Sequence, residues 1–247
     1  MNKRTEAIVL SNTPLNEADL IVTYLTLDFG LLEVFAKSPR KVGSRFGSSL
    51  EPLTYSKIAF IGKEQASLPR LIQADIIKSF HSLRESYKLF VVISEALELT
   101  KRILPKHLPQ RGPFQLLLNL LMSLESGKDE RKQLLYYKLK LLKISGFAPA
   151  LQHCVRCEEE TSRFSLNEGA LLCSRCSDND NDCIEIGNRI KGLYNYLLKI
   201  RPAILDRIKI EEDSLSGLER VINSHINYNI IEKKLNTHEF LVSLKRG

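Results

Sequence analysis

Four cysteines carry the clearest chemistry in this 247-residue chain. Cys154-Val155-Arg156-Cys157 is followed, after a fifteen-residue spacer, by Cys173-Ser174-Arg175-Cys176. Each Cys-x-x-Cys turn aims two thiolates at one point. Two such turns brought together offer a tetrahedral set of soft sulfur donors, the set that zinc prefers. Four sulfurs close the coordination shell, so one zinc ion here is expected to hold structure, with no position open to water or substrate. Four unrelated buried or redox-active cysteines would not require the doubled spacing. His153 and Cys183 lie nearby, but a lone histidine or a fifth cysteine is more often packing or surface, and both stay outside the expected ligand set.

The second candidate is a basic loop. Lys37-Ser38-Pro39-Arg40-Lys41-Val42-Gly43-Ser44-Arg45-Phe46-Gly47 places four cations within nine residues and contains no acid, and its proline and glycines keep it from continuing as a strand. Lys37, Arg40, Lys41 and Arg45 can track a phosphate backbone, and Phe46 at the edge is expected to stack on a base. A merely solvated charge run is the bland alternative. Other patterns do not amount to an active site. No G-x-x-x-x-G-K-[S/T] occurs, so nothing supports nucleotide hydrolysis. Asp178, Asp180 and Asp182 alternate as at the start of a calcium loop, but Cys183 stands where that loop needs glycine and Arg189 where it needs glutamate, so the stretch reads as a polar linker. His238-Glu239 lacks the second histidine of a zinc protease helix, and Glu211, Glu212 and Asp213 form a solvated acidic run. The chain is therefore not expected to be an enzyme.

Composition sets the context for both candidates. Hydrophobic residues are 43% and charged residues 26%, values typical of a globular protein, and no apolar run is long enough to cross a bilayer. After Met1-Asn2-Lys3-Arg4 only Ala7-Ile8-Val9-Leu10 follows, too short for a signal-peptide core, so a cytoplasmic location is expected, where cysteines stay reduced and favour metal over disulfides. The net charge of +7 is uneven: +2 over residues 1–80, +6 over 81–150, −5 over 151–185 and +4 over 186–247. The cysteine segment is thus the acidic part, and four thiolates around one zinc ion would add about two more negative charges. Phosphate contact is expected elsewhere in the chain.

The elements that would position these residues can be read in order. Thr5–Asn12, Leu20–Leu27, Leu31–Lys37, Tyr55–Ile61 and Leu71–Ser79 are short, β-branched, alternating segments. Five strands within eighty residues predict a small barrel of the OB type over residues 1–80. From His81 the period changes to about 3.6, and residues 81–247 read as a helical domain with the zinc ribbon inserted at about 151–185. Within it, helices are predicted over residues 82–104, from Pro113 to Gly127, from an Asp129 cap to Gly146, over Asn188–Ile200 and over Ser216–Asn236, the last opening on Ser216 and Glu219 in capping-box spacing. Lys138, Lys140 and Lys143 lie among the leucines of the third helix and suggest a basic exposed face there. The expected fold is α+β: a five-stranded OB-type barrel, then a helical bundle carrying a four-cysteine ribbon.

This order of parts resembles the RecO family of bacterial DNA repair proteins. The stretches that carry the resemblance are Ala7-Ile8-Val9-Leu10 with Glu17-Ala18-Asp19, Leu25-Thr26 through Gly30-Leu31, Ala36-Lys37 with the loop to Arg45, and Ser145-Gly146-Phe147-Ala148-Pro149 leading into the cysteines. The resemblance implies a recombination mediator without catalytic activity, cytoplasmic and associated with the nucleoid. It implies binding of single- and double-stranded DNA and annealing of complementary strands without ATP. It also implies work with RecR to load RecA onto DNA coated by single-stranded-DNA-binding protein, whose acidic, apolar C-terminal tail is expected to dock on the basic helical region. Some members lack the cysteines, so zinc is not essential to the family's function. Two other classes fit the residues: a zinc-ribbon protein of RNA binding or translation, since such barrels bind either nucleic acid, and a zinc enzyme.

Overall fold

The computed structural model describes residues 2–39, 44, 46–62, 68–177 and 182–230. The chain forms two compact units, one of Met1–Phe90 with Leu104–Ser126 and the other of Val91–Ile103 with Gly127 onward.

The first unit is built on five strands, β1 (Asn2–Pro14), β2 (Leu20–Thr26), β3 (Gly30–Ala36), β4 (Tyr55–Ile61) and β5 (Arg70–Lys78), closed in the order β1-β2-β3-β5-β4. All ladders are antiparallel except the closing one, where β3 meets β5 in parallel at Phe35 and Arg70. The Phe35 N–H also donates to the Pro69 carbonyl at 2.8 Å. β1 is long enough to pair with β4 through its first half and with β2 through its second, and a register shift between Val9 and Ser11 bends it from one to the other. Alternation puts Val22 and Tyr24 of β2, Leu32 and Val34 of β3, and Ile58 and Phe60 of β4 inside, each buried. Burying each of these side chains contributes roughly 1.5–3 kcal/mol. The Tyr24 hydroxyl is buried with no partner among the described residues, and desolvation pushes its titration far up.

Two helices and the first turn of a third complete this unit. The single helix expected over residues 82–104 is two, α1 (His81–Glu85) and α2 (Tyr87–Ile103), because Ser86 is extended, with φ −87° and ψ 109°. Tyr87 and Phe90, in the first turn of α2, are exposed. α3 (Arg111–Glu125) packs on the barrel through a Tyr55–Phe114 edge contact, with centroids 6.0 Å apart, and a 2.7 Å Lys78–Glu125 ion pair. Between α2 and α3 the chain runs along β3. His107 N–H donates to Leu31 O at 3.0 Å, and Lys106 pairs with Glu33 at 2.9 Å. Gly30 permits this approach: its φ is +65°, and a Cβ there would lie 2.2 Å from the Leu108 carbonyl oxygen.

The second unit contains the later part of α2 with α4 (Glu130–Ile144), a small sheet of β6 (Arg163–Ser165), β7 (Ala170–Leu171) and β8 (Cys183–Glu185) in the order β7-β6-β8, and then α5 (Asn188–Lys199), α6 (Pro202–Leu205) and α7 (Glu212–Asn229). Asp129 caps α4 as expected, its carboxylate accepting from Lys132 N–H at 3.1 Å. α7 starts at Glu212, before the expected capping box. Ser216 and Glu219 lie inside the helix and face Arg131 of α4, which donates to Ser216 at 3.1 Å and to Glu219 at 2.6 Å. The predicted continuation of this helix to Asn236 lies outside the described residues beyond Ile230.

The basic exposed face expected on α4 is not there. Lys138 is buried, 2.5 Å from Glu95 of α2 and 2.8 Å from Asn223 of α7. Lys140 donates to the carbonyls of Leu198 and Ile200, both at 2.9 Å. Of the three lysines only Lys143 is exposed. A lysine among leucines reads as exposed until its acid partner is seen, and Glu95 is 43 residues away in sequence.

Candidate metal centre and nucleic-acid interface

The ribbon brings the four cysteines together. Cys154 lies in a tight turn, with Glu158 N–H donating to its carbonyl at 2.9 Å and its own N–H donating to Glu159 O at 2.9 Å. Cys176 N–H closes the second turn onto Cys173 O at 3.0 Å. The spacer between the turns folds back as β6 and β7, and the Ala150–Ala170 bridge sets the approach to Cys154 beside β7. The sheet is tied to the helices through Tyr194 of α5, which donates to Pro149 O at 2.6 Å, and His225 of α7, bonded to Phe147 O at 2.8 Å. Gly169, with φ +61°, allows His225 to sit close, since a Cβ would meet its Cε1 at 2.8 Å.

All four Sγ atoms lie within 4.8 Å of one another, and those of Cys157 and Cys173 are 3.6 Å apart. A tetrahedral zinc site with Zn–S bonds of about 2.3 Å needs sulfurs about 3.8 Å apart, so the set fits the ion. Cys154 and Cys173 are buried, Cys176 is half-buried and Cys157 is exposed. Backbone N–H groups, first that of Cys173, pull the Cys154 thiol down to about 6 against the opposing effect of burial. Hydrogen bonding with Cys157 and Cys173 pushes Cys176 up to about 12. Thiols that hold one another's protons in this way release them to a cation placed among them. His153 turns its ring to the Cys154 carbonyl, and Cys183 lies 3.8 Å from the Arg163 guanidinium; neither belongs to the cluster.

Several supporting residues were not foreseen. Arg156 spans the two knuckles, donating to Cys176 O and to Glu168, each at 2.8 Å. Arg175 pairs with Glu159 from the other side. Both arginines offset the negative charge that four thiolates would build around a dication. Glu158, directly after the first knuckle, has φ 61°, a conformation that favours glycine, so the residue type gave no signal of the turn it makes.

On the barrel, the ends of the basic loop are fixed. Lys37 is exposed at its start, and Ser38 N–H donates to the Asp19 carboxylate at 2.7 Å, tying the loop to the β1–β2 connection. Arg40, Lys41 and Arg45 lie outside the described residues. Phe46 requires a correction: it is 3% exposed and packed in the barrel core, where it anchors the far end of the loop and offers no face to a base. An aromatic beside a cation run has the same sequence whether it faces solvent or core. Asp178 and Asp180 of the ribbon likewise lie outside the described residues. A groove of about 340 Å³ on the barrel wall is lined by Arg4, Glu6, Asp28, Lys57 and Asp75 among others, a mixture of signs poorly suited to phosphate.

The closed five-stranded barrel is of the OB type, and helices and a four-cysteine ribbon follow it. The models of the recombination protein O family match in both parts, the N-terminal one over residues 1–80 and the C-terminal one over residues 84–238. The chain is 43% identical over 232 residues to the DNA repair protein RecO of Thermodesulfovibrio yellowstonii, an overlap covering 92% of each chain. It is 31% identical over 247 residues to a DNA repair protein RecO of Dehalococcoides mccartyi, covering 98% of this chain and 96% of that one. With that of Bacillus subtilis the identity is 28% over 225 residues, covering 90% and 88%. The chain belongs to the RecO family of DNA repair proteins. Among the described residues no helix is long and apolar enough to cross a membrane.

Proposed function

We propose that this chain is a non-catalytic recombination mediator of the cytoplasm. It binds single- and double-stranded DNA, anneals complementary strands without ATP, and with RecR helps load RecA onto DNA coated by single-stranded-DNA-binding protein. The observation that carries this reading is family membership along nearly the whole chain, from the barrel through the ribbon. In this reading Lys37, Arg40, Lys41 and Arg45 track the phosphate backbone, and annealing proceeds downhill once two strands are held with their charges neutralised. The four cysteines hold one zinc ion that supplies rigidity to the ribbon and no reaction step. The acidic tail of single-stranded-DNA-binding protein docks on the helical part. The test is RecA filament formation on coated single strands with this chain and RecR added separately and together. Stimulation that needs both supports the role. No stimulation, or a preference for RNA over DNA of equal length, would move the chain to the RNA-binding class.

A further inference from the structure

The four cysteines differ in their access to solvent. Cys154 and Cys173 are buried and Cys176 is half-buried, whereas Cys157, at the end of the first turn, is exposed. A thiol that coordinates zinc is deprotonated, so the loaded centre presents an ionised sulfur at the surface. The thiolate is the form that attacks an electrophile. A second sulfur stands close to it. The Sγ of Cys173, from the other turn, lies 3.6 Å from that of Cys157, a gap that side-chain rotation can close to a disulfide. The surroundings select the electrophile by charge. Glu158, Glu159 and Glu160 follow Cys157 directly and all three are exposed, within a stretch, residues 151–185, whose net charge is −5. That field repels an anionic oxidant such as oxidised glutathione and does not oppose a small uncharged one.

We infer that Cys157 is a modification site for small uncharged hydroperoxides, with Cys173 as its resolving partner, and that its oxidation empties the four-cysteine centre. The Cys157 thiolate attacks one peroxide oxygen: the S–O bond forms, the O–O bond breaks and hydroxide leaves. The Cys173 thiolate then attacks the Cys157 sulfur, forming the S–S bond and expelling the second hydroxide. Each sulfur gives up one electron, and both peroxide oxygens end as hydroxide, which takes protons from water. Cys154 and Cys176 remain as two thiolates, too few to close a zinc shell, so the ion passes to water. A thiol reductant reverses the disulfide. The bonds that tie the ribbon to the helices, from Tyr194 to Pro149 O and between His225 and Phe147 O, involve no sulfur, so the change is confined to the two knuckles. Cys183, outside the cluster and beside Arg163, takes no part.

This chemistry rests on the zinc ion of the proposed function, and the experiment separates the two. The full chain, purified anaerobically without chelators, is treated with excess hydrogen peroxide beside a chromogenic zinc indicator. One zinc per chain should be released, and dithiothreitol with added zinc should restore the starting content. Trypsin separates the sulfurs, because cleavage after Arg156, Arg163 and Arg175 places Cys157 in peptide 157–163 and Cys173 in peptide 164–175. Digested without reduction, the oxidised chain should yield these two peptides joined, and dimedone present during the reaction should label 157–163. Cys183→Ser should release zinc as fast as the unmodified chain, and oxidised glutathione at the same concentration should release it roughly tenfold more slowly. If the purified chain holds no zinc, the metal reading itself fails. Zinc that is present but stays bound through the peroxide treatment overturns the inference alone. So does a disulfide within one turn, a dimedone label on another peptide, release that needs Cys183, or equal release by oxidised glutathione.

Discussion

Replacing Cys154 by serine tests the metal centre at its most buried ligand. Cys154 is fully enclosed beside Leu172 and Cys173, so the substitution removes one of four converging sulfurs without exposing new surface. Structural zinc contributes on the order of 10–16 kcal/mol in isolated finger peptides, and dividing that among four ligands gives about 3 kcal/mol for one, or roughly a hundredfold in affinity. The ribbon also keeps contacts that do not depend on the ion: buried Leu151, Phe164 and Leu171, the Ala150–Ala170 bridge and the Tyr194 hydroxyl on Pro149 O. The expected outcome is therefore local. Cys154→Ser should lose zinc to a competing chelator at about a hundredfold lower chelator concentration than the unmodified chain, while far-ultraviolet circular dichroism shows the helices intact. Oligonucleotide affinity should change little, because the ribbon is the acidic part of the chain. Elemental analysis of the chain purified without chelators should find one zinc per molecule, and finding none refutes the assignment.

Three further outcomes follow from the packing. Gly30→Ala combines a left-handed residue, costing about 1–2 kcal/mol, with a Cβ placed 2.2 Å from Leu108 O, so the connection along β3 must shift and denaturant unfolding should show a loss above about 2 kcal/mol; a smaller loss would mean that the connection does not hold to the barrel. Lys138→Ala leaves the Glu95 carboxylate without its lysine inside the second unit and should cost about 3–5 kcal/mol, whereas Lys138→Met with Glu95→Leu should come close to neutral in the same assay. Burial, partly opposed by the bond to Phe147 O, holds His225 below the ordinary histidine value. The unfolded ring takes a proton below about pH 6.5 and the folded ring only at lower pH, so its contribution to stability is full above 6.5 and is lost as pH falls toward the folded value. Melting curves from pH 7.5 to 5 should fall more steeply for the unmodified chain than for His225→Gln, and equal slopes would contradict the assignment.

The barrel was legible because its strands alternate cleanly: the predicted Tyr55–Ile61 strand agrees residue for residue, and the others differ by a few residues at their ends. The cysteine cluster was legible because metal spacing is local to each turn. What stayed hidden depends on partners distant in sequence. Lys138 is buried because Glu95 and Asn223 reach it from two other helices, and Phe46 faces inward because the barrel closes beneath it. Ser216 and Glu219 have the spacing of a cap, but Glu212 and Asp213 already supply an acidic first turn, and the later pair is left to bind Arg131.

The proposed role requires that this chain bring DNA strands together without consuming nucleotide. The direct measurement is the rate of annealing of two complementary fluorescent strands coated with the cognate single-stranded-DNA-binding protein, with the purified chain, no ATP and rising salt. The expected result is rapid annealing that is indifferent to ATP and falls steeply with salt, as counterion release requires. Annealing no faster than the uncatalysed rate, or acceleration only when ATP is present, would contradict it.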